Sequence, residues 1–187
     1  MFTYHINLSS EGNIEIAAVG VDQRDTILIS IYRPPLGDVD VFFLHFNDLL
    51  TELECELTMK AVVIAGDFNF NFMENNTLTT RFYDLVETYN LNVLFNEPSG
   101  ITEHSQRCID NIVTNISREQ YRSDTVNLHI SDHCAQKFYI LDSSTGVASV
   151  GKNMAVKNIR IINATNNSFR EKLNSVDWSQ TLNGRSA

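Results

Sequence analysis

The start of the chain alternates apolar, strand-like segments with polar turns. Residues 14–21 and 26–32 are rich in β-branched and apolar side chains, and the four residues from Asp22 to Asp25 between them are polar. This pattern predicts two strands joined as an antiparallel hairpin. The second strand is predicted to end at Pro34-Pro35, because proline cannot donate to a strand ladder.

A helix is predicted over residues 39–58, followed by a buried strand. Asp38 or Asp40 can cap this helix. Its apolar positions recur at helical spacing and are Phe42, Phe46, Leu49, Leu50, Leu53 and Leu57. Residues 61–65 are continuously apolar, which is typical of a central strand covered on both faces, and Gly66 ends the run.

The rest of the pattern predicts one more helix and several short strands. The helix is expected to open at Thr79 or Thr80. Short strands are expected at residues 92–95, 109–114, 124–128 and 135–140, of which 109–114 and 135–140 are expected to be buried. Strands and helices that alternate, with antiparallel pairs among them, predict an α/β (α+β) sandwich of sheets covered by helices.

The composition changes after Leu141, which predicts a domain boundary there. Residues 142–151 are rich in serine and glycine and are typical of a linker. Residues 157–182 are basic, with spaced apolar positions at Phe169, Leu173 and Trp178, and are predicted to form an amphipathic helix outside the main core. We therefore divide the chain into a domain over residues 1–141 and a linker with a basic tail over residues 142–187.

Charge is unevenly distributed along the chain, whose net charge is −9. Residues 1–149 hold 21 acidic and 8 basic residues, whereas residues 150–187 hold 2 acidic and 6 basic residues. An acidic body does not grip nucleic acid by charge alone. If this chain acts on DNA, a bound cation and local arginines must offset the repulsion.

The three cysteines, Cys55, Cys108 and Cys134, are odd in number and form no CxxC motif. This usage favours a reducing, intracellular setting, nuclear or cytoplasmic, over a secreted one. The polar start of the chain contains no apolar segment of a signal peptide, and no apolar run is long enough to span a membrane.

The most informative motif is Gly66-Asp67-Phe68-Asn69, directly after the buried strand. Residues two apart on extended backbone face the same way, so Asp67 and Asn69 are expected to project together while Phe68 turns into the core. A carboxylate beside a carboxamide offers hard oxygen ligands for Mg²⁺ and a donor for a phosphate oxygen. The alternative is a plain turn, since aspartate, asparagine and glycine all favour turns.

Three further motifs carry candidate chemistry. Ser-Asp-His places Asp132 beside His133, as a metal ligand and a general acid or base. Asp110, at the start of a predicted strand, can accept a hydrogen bond from a histidine and orient its ring. Tyr32 and Arg33, at a strand end, can each bind a phosphate oxygen. Taken singly, each motif is equally explained by an ordinary strand end or surface carboxylate.

The order of the motifs resembles a known superfamily. Tyr-Arg-Pro-Pro, Gly-Asp-Phe-Asn, then Thr102 with Ile-Asp-Asn-Ile-Val-Thr-Asn, and finally Ser-Asp-His follow one another as in the endonuclease/exonuclease/phosphatase (DNase I-like) superfamily. The first and third motifs resemble the apurinic-endonuclease-like domains of non-LTR retrotransposons. The tail, with Arg160-Ile161 and Trp178, is similar to the segment before a reverse transcriptase. The resemblance implies a four-layer α/β/β/α sandwich and a DNA endonuclease.

The resemblance also implies roles for individual residues. Tyr32, Arg33 and Asn69 are expected to contact the phosphate. Asp67 is expected to orient or activate the attacking water and to share with Asp132 a Mg²⁺ (or Mn²⁺) ion, which acts as Lewis acid. Asp110 is expected to pair with His133, which stabilises the charge that develops on the phosphate.

The chain departs from the family pattern at its start. The resemblance implies an asparagine and a metal-binding glutamate ahead of the hairpin, and neither Glu11 nor Glu15 has the expected context. We therefore expect a truncated domain, incomplete in its N-terminal half, with impaired activity and with sheet edges exposed to association. Two alternatives keep the fold: a phosphatase or phosphodiesterase acting on a small phosphate ester, and a non-catalytic remnant.

Overall fold

A computed structural model of the chain describes residues 2–4, 8–21, 24–101, 106–127 and 133–141. The ten strands in these ranges are β1 (Phe2–Tyr4), β2 (Glu15–Val21), β3 (Thr26–Tyr32), β4 (Ala61–Asp67), β5 (Asn92–Val93), β6 (Gly100–Ile101), β7 (Gln106–Arg107), β8 (Asp110–Thr114), β9 (Tyr121–Val126) and β10 (Ala135–Ile140). The helices in these ranges are α1 (Val39–Glu52), α2 (Glu54–Met59), α3 (Thr77–Thr88) and a 3₁₀ turn (Arg118–Gln120). This mixed content confirms the predicted α/β class.

Six strands form one sheet in the order β1-β2-β3-β4-β8-β5. Strands β3 and β4 run parallel, joined by the crossover through α1 and α2, and their neighbours pair antiparallel. Strands β9 and β10 form a separate antiparallel pair, as do β6 and β7. The predicted hairpin of residues 14–21 and 26–32 is confirmed as β2 and β3.

Most predicted strands are found within a few residues of their expected ends. Strand β4 runs on to Asp67, because residues 66–67 still pair with both β3 and β8. Strand β9 begins at Tyr121, three residues before the predicted start. The expectation that residues 135–140 form a buried strand is wrong: β10 pairs only with β9 among the described strands, and its residues are half-buried or exposed.

The predicted helix over residues 39–58 is divided in the structure. Asp38 caps α1, as one of the two predicted candidates, by accepting from the backbone N–H groups of Asp40 and Val41. Helix α1 ends at Glu52 and α2 begins at Glu54, with buried Leu53 between them. The apolar spacing does not reveal this break, because Leu53 still donates a helical hydrogen bond to Leu49 and the spacing therefore continues through it.

Helix α3 begins before the predicted threonines. Its cap is Asn76, whose side chain accepts from the backbone N–H groups of Leu78 and Thr79. The Thr79 hydroxyl in turn accepts from the Asn76 N–H, which completes a capping box. Thr79 is therefore part of the cap, although it is not the residue that opens the helix.

A cluster of phenylalanines joins α1 and α3 to the end of β4. Phe68 is fully buried and contacts Phe42 and Phe46 of α1 and Phe82 of α3. Phe70 and Phe72 join the same cluster. Alternate residues after β4 thus turn into the core, as predicted for Phe68, and each buried ring contributes about 1.5–3 kcal/mol. This packing anchors the segment that carries Asp67 and Asn69.

No helix among the described residues is long and apolar enough to cross a membrane. Residues 142–187, which include the predicted linker and basic helix, lie outside the described ranges.

Candidate active site

Three of the predicted site residues lie in one row across the large sheet. Tyr32 of β3 pairs in register with Asp67 of β4, and Asp67 pairs with Asp110 of β8. Residues paired in register on neighbouring strands present their side chains on the same face of a sheet. Side chains separated by up to 78 positions in the sequence are thereby brought to one edge of the sheet.

Gly66 permits the close approach of β3 and β4 beside this row. A Cβ atom placed on Gly66 would lie 1.8 Å from the carbonyl oxygen of Ile31. Any side chain at position 66 would therefore push the two strands apart next to Tyr32 and Asp67. The glycine of the Gly-Asp-Phe-Asn motif is thus required by packing.

Asp67 and Asn69 are held together by a tight local turn. The backbone N–H of Asn69 donates to Asp67 Oδ1 over 3.0 Å. Asn69 has a positive φ of 52°, a left-handed conformation that asparagine tolerates better than most residues. Its side-chain Nδ2 donates to the carbonyl oxygen of Arg33 over 2.8 Å. The two residues therefore lie in one turn after β4, where the backbone of Asn69 binds the Asp67 carboxylate and its carboxamide binds Arg33.

Asp110 and His133 form the second half of the site. Asp110 Oδ2 and His133 Nδ1 lie 2.9 Å apart, and the His133 side chain is 38 % exposed. Because an ionised carboxylate only accepts hydrogen bonds, Nδ1 is the donor when Asp110 is ionised, and Nε2 is then directed away from Asp110. This is the orienting pair that the sequence predicted.

Two residues that the sequence reasoning missed support this pair. The hydroxyl of fully buried Ser99 accepts from the backbone N–H groups of Ile109 and Asp110, and its carbonyl accepts from the N–H of Cys134. Gln136 Nε2 donates to the carbonyl oxygen of Asp110 over 2.8 Å. In sequence, Ser99 has only the signal of a Pro-Ser-Gly turn, and Gln136 has none, because such supports depend on tertiary placement.

The two halves meet in a cluster of potential metal ligands. One ligand atom from each of Asp67, Asp110 and His133 lies within 4.8 Å of the other two. The two carboxylates form a donor set that suits a divalent cation such as Mg²⁺ or Mn²⁺, because these ions prefer oxygen ligands, whereas an imidazole is preferred by ions such as Zn²⁺. The donor set therefore fits the cation that the sequence predicted.

The electrostatics of Asp67 favour a cation nearby. Burial raises the pKa of the Asp67 carboxyl above its ordinary value, and the negative charge of Asp110 raises it further. Hydrogen bonds from Asn69 and the charge of His133 lower that pKa. The ionised form of Asp67, which burial and the charge of Asp110 disfavour, is stabilised when a positive ion binds beside it.

Cys108 is close to the site but is unsuited to act as a nucleophile. Burial raises the pKa of its thiol to about 12, with further contributions from Asp110 and Glu97. The thiol is therefore protonated at neutral pH, and the thiolate is the reactive form of cysteine.

Arg33 occupies a different place from the expected one. Its side chain is buried, with 4 % of the residue exposed, and its guanidinium donates to backbone carbonyl oxygens of the protein. Tyr32 beside it is 40 % exposed on the opposite side of the strand. The burial of Arg33 argues against the expected contact with a substrate phosphate.

The remaining polar residues of Ile-Asp-Asn-Ile-Val-Thr-Asn hold the framework around Asp110. Buried Asn111 accepts from the Phe95 N–H and donates to the Phe95 carbonyl. Thr114 donates to the carbonyl of Val62, and Asn115 accepts from the Val62 N–H. Most of this motif is therefore structural, since it ties β8 to β4 and to the segment after β5.

Two motif residues lie outside the described ranges. Asp132, the predicted metal ligand, and Thr102 fall in the segments 128–132 and 102–105. Their expected roles stay predictions.

Comparison with known proteins identifies the family. A model of a family described as endonuclease–reverse transcriptase matches residues 26–136, more than half of the chain. The chain belongs to this family. The matched segment contains all of the site residues considered above, from Tyr32 to His133, and it confirms the predicted membership of the endonuclease/exonuclease/phosphatase superfamily.

Solved structures support the fold. The endonuclease domain of TRAS1, a telomere-specific non-LTR retrotransposon, superposes with a TM-score of 0.58 at 16 % identity, over 76 % of this chain and 68 % of that domain. The cytolethal distending toxin subunit CdtB (TM-score 0.44, 14 % identity) matches over 74 % of this chain and 56 % of its own. A family protein from Leptotrichia buccalis (0.46, 12 %) matches over 75 % and 58 %.

The chain thus spans little more than half of the length of some of these proteins. No curated protein matches its sequence. The likeness to the TRAS1 domain confirms the DNase I-like fold that the sequence predicted.

Proposed function

We propose that this chain is a metal-dependent phosphodiesterase that nicks DNA, of the kind carried by non-LTR retrotransposons. The observation that carries the proposal is the cluster of Asp67, Asp110 and His133, whose ligand atoms lie within 4.8 Å of one another. Asp67 of this cluster is paired in register with Tyr32. It occurs in a chain of the endonuclease–reverse transcriptase family. An exposed tyrosine beside an acidic metal cluster suits the binding of a phosphodiester.

Asp67 and Asp132 would hold Mg²⁺ or Mn²⁺, which supplies Lewis-acid polarisation of the phosphate and offsets the repulsion between DNA and an acidic protein. Asp67 orients the attacking water through its carboxylate. Asp110 holds the His133 ring through Nδ1, so that the protonated ring can donate from Nε2 to the phosphate oxygen on which charge develops. The Tyr32 hydroxyl and the second N–H of the Asn69 carboxamide donate to the same phosphate.

Nicking of supercoiled plasmid DNA tests this proposal. With Mg²⁺ or Mn²⁺ the wild-type chain is expected to convert supercoiled to open-circular DNA, and a chelator should stop the reaction. Asp67→Asn and His133→Gln are each expected to lower the rate by about 10²–10⁴-fold, the usual contribution of a positioned acid or base. Asp84→Asn, an exposed aspartate on α3, is the matched control and should behave as the wild type.

A substrate panel separates the alternatives in the same experiment. Turnover of a nucleotide or inositol phosphate without DNA nicking would favour a phosphatase or phosphodiesterase that acts on small esters. Identical behaviour of the wild type and Asp67→Asn on every substrate would contradict catalysis and favour a binding remnant.

We further propose that the 187-residue chain is a weak enzyme by itself. Glu15 is in register with Tyr32, but it is exposed and lies two strands, about 10 Å, from Asp67, since neighbouring strands are about 4.8 Å apart. It is therefore no substitute for the glutamate ligand that the resemblance implies. The plasmid assay is expected to give a kcat below about 1 s⁻¹, the lower end of the common range for enzymes.

We also propose a cellular location, a domain boundary and a mode of association for this chain. DNA as substrate and three unbridged cysteines support an intracellular location, nuclear or cytoplasmic, which imaging of a tagged chain tests. The proposed boundary at residues 141/142, before a tail that resembles the segment preceding a reverse transcriptase, is tested by limited proteolysis. Association through the edge strands β1 and β5 is tested by the concentration dependence of the molecular mass.

A further inference from the structure

Arg33 follows the row residue Tyr32 and is buried against the turn that begins at Asp67. One terminal nitrogen, Nη2, donates to the carbonyl oxygen of Gly37 over 2.8 Å. The other, Nη1, donates to the carbonyl oxygens of Asn69 at 3.3 Å and Phe68 at 3.5 Å. A single side chain therefore links the loop before α1 to the segment that carries two of the candidate site residues.

The contact is reciprocal. The backbone N–H of Arg33 donates to the carbonyl oxygen of Asp67 over 2.9 Å, and the side chain of Asn69 donates to the carbonyl oxygen of Arg33 over 2.8 Å. The backbone and the side chain of Arg33 thus bind all three residues from Asp67 to Asn69. This turn includes the positive φ of Asn69, an uncommon conformation that must be held by its surroundings.

We propose that Arg33 is a positioning residue, which holds the turn from Asp67 to Asn69 and thereby fixes the direction of Asp67 towards Asp110 and His133 without contacting the substrate. Its effect on catalysis rests on the function proposed above, whereas its effect on the turn does not. A planar guanidinium presents donors in a fixed fork, which serves carbonyl groups on two different segments at once. Lysine carries one compact ammonium on a flexible stem and does not reproduce that fork.

The test compares Arg33→Lys and Arg33→Met in the full chain with the wild type. Arg81→Met is the matched control, because Arg81 also contacts other parts of the protein, Asp40 and Phe43 of α1, but lies at an exposed position on α3, away from the site. Two quantities are measured: the affinity for Mn²⁺ alone by electron paramagnetic resonance, and the NMR shifts of the backbone amides of residues 67–69.

Both Arg33 variants are expected to keep the far-ultraviolet circular dichroism of the wild type. Their affinity for Mn²⁺ is expected to fall about 10- to 100-fold, as is usual when a residue that orients metal ligands is lost. Their amide shifts are expected to change mainly at residues 67–69. The control is expected to bind Mn²⁺ as the wild type does. A folded Arg33→Met variant with wild-type affinity, or full rescue by Arg33→Lys, would overturn the proposal.

Two further results are decisive. If both variants unfold, NMR of the wild-type guanidinium decides: restricted Nη protons with couplings to the carbonyls of Gly37 and Phe68 support the role, and free rotation overturns it. If the wild type neither binds Mn²⁺ nor nicks DNA, the proposed function fails. The amide shifts at residues 67–69 in the variants then test the Arg33 contact independently.

Discussion

At the scale of single residues, the ionisation of a candidate site carboxyl is opposed by some of its neighbours and favoured by others. Asp67 is the clearest case. Burial and the charge of Asp110 raise the pKa of its carboxyl, while Asn69 and His133 lower that pKa by a smaller amount, so the net shift is upward. The carboxylate that metal binding requires is therefore held in a state that costs stability until a cation binds.

This electrostatic cost predicts that Asp67→Asn stabilises the cation-free protein at neutral pH. An acid with a raised folded-state pKa binds more protons folded than unfolded, so stability falls as the pH rises from the ordinary value of 3.8 through the folded-state pKa. The gain in the free energy of unfolding should thus be full above the folded-state pKa and should vanish towards pH 3.8. Asparagine keeps an oxygen that accepts the Asn69 N–H.

Urea unfolding in the presence of a chelator, repeated across this pH range, measures the difference. Asp84→Asn, at an exposed position on α3, is the control and should show little pH-dependent difference from the wild type. An Asp67→Asn variant that is less stable than the wild type at neutral pH would contradict the assignment of a raised pKa.

The sequence predicted the site residues that stand in motifs, but not the residues whose roles depend on tertiary packing. Asp67, Asn69, Asp110 and His133 stand in motifs, and the structure places them in two hydrogen-bonded groups that meet in one cluster. Arg33 stands in a motif as well, but the sequence cannot state which side of the strand end its long side chain takes. Ser99 supports Asp110 through a buried hydroxyl, and only the tertiary fold brings that hydroxyl to the backbone of Ile109 and Asp110.

At the scale of elements, the site is a consequence of strand register. β-Branched and apolar content located β3, and continuous apolar character located β4 and its buried position. The parallel pairing of these two strands, which sets Tyr32 beside Asp67, depends on the crossover through α1 and α2 and is not encoded in either strand alone. The break between α1 and α2 at Leu53 was not predicted, because the apolar spacing of a helix continues through it.

Gly66→Ala should disturb this register. The added Cβ would stand 1.8 Å from the Ile31 carbonyl, so β3 and β4 must separate and lose pairing next to the site. We expect a loss in the free energy of unfolding of about 1–3 kcal/mol or more, the usual cost of overpacking, together with lower Mn²⁺ affinity.

Thermal unfolding with and without Mn²⁺ measures both effects. Gly100→Ala is the control for stability, because a Cβ there meets nothing closer than 3.4 Å, from the Ile109 side chain. If Gly66→Ala were as stable as Gly100→Ala, the close approach of β3 and β4 would not be a requirement of the fold.

At the scale of the whole molecule, charge and metal binding are linked. The protein is acidic overall, with a net charge of −9, and two of its carboxylates, from Asp67 and Asp110, face each other in the site. A cation that binds the folded state more tightly than the unfolded chain stabilises it by mass action. The same ion would lessen the repulsion that an acidic body exerts on a polyanionic substrate.

We therefore expect Mn²⁺ and Mg²⁺ to raise the melting temperature of the wild-type chain. At a cation concentration about 100 times the Kd the gain is about 2.7 kcal/mol. Each kcal/mol corresponds to about 2–4 °C for a chain of this size. The rise should grow with the logarithm of the cation concentration. Asp67→Asn should reduce it by removing a proposed ligand, and Asp110→Asn should reduce it by removing a negative charge that lies next to Asp67. Sodium chloride at equal ionic strength separates site binding from general screening. An equal rise in the wild type and both variants would place the stabilising ion elsewhere in the molecule, and no rise in the wild type would show that the site around Asp67 does not hold a cation.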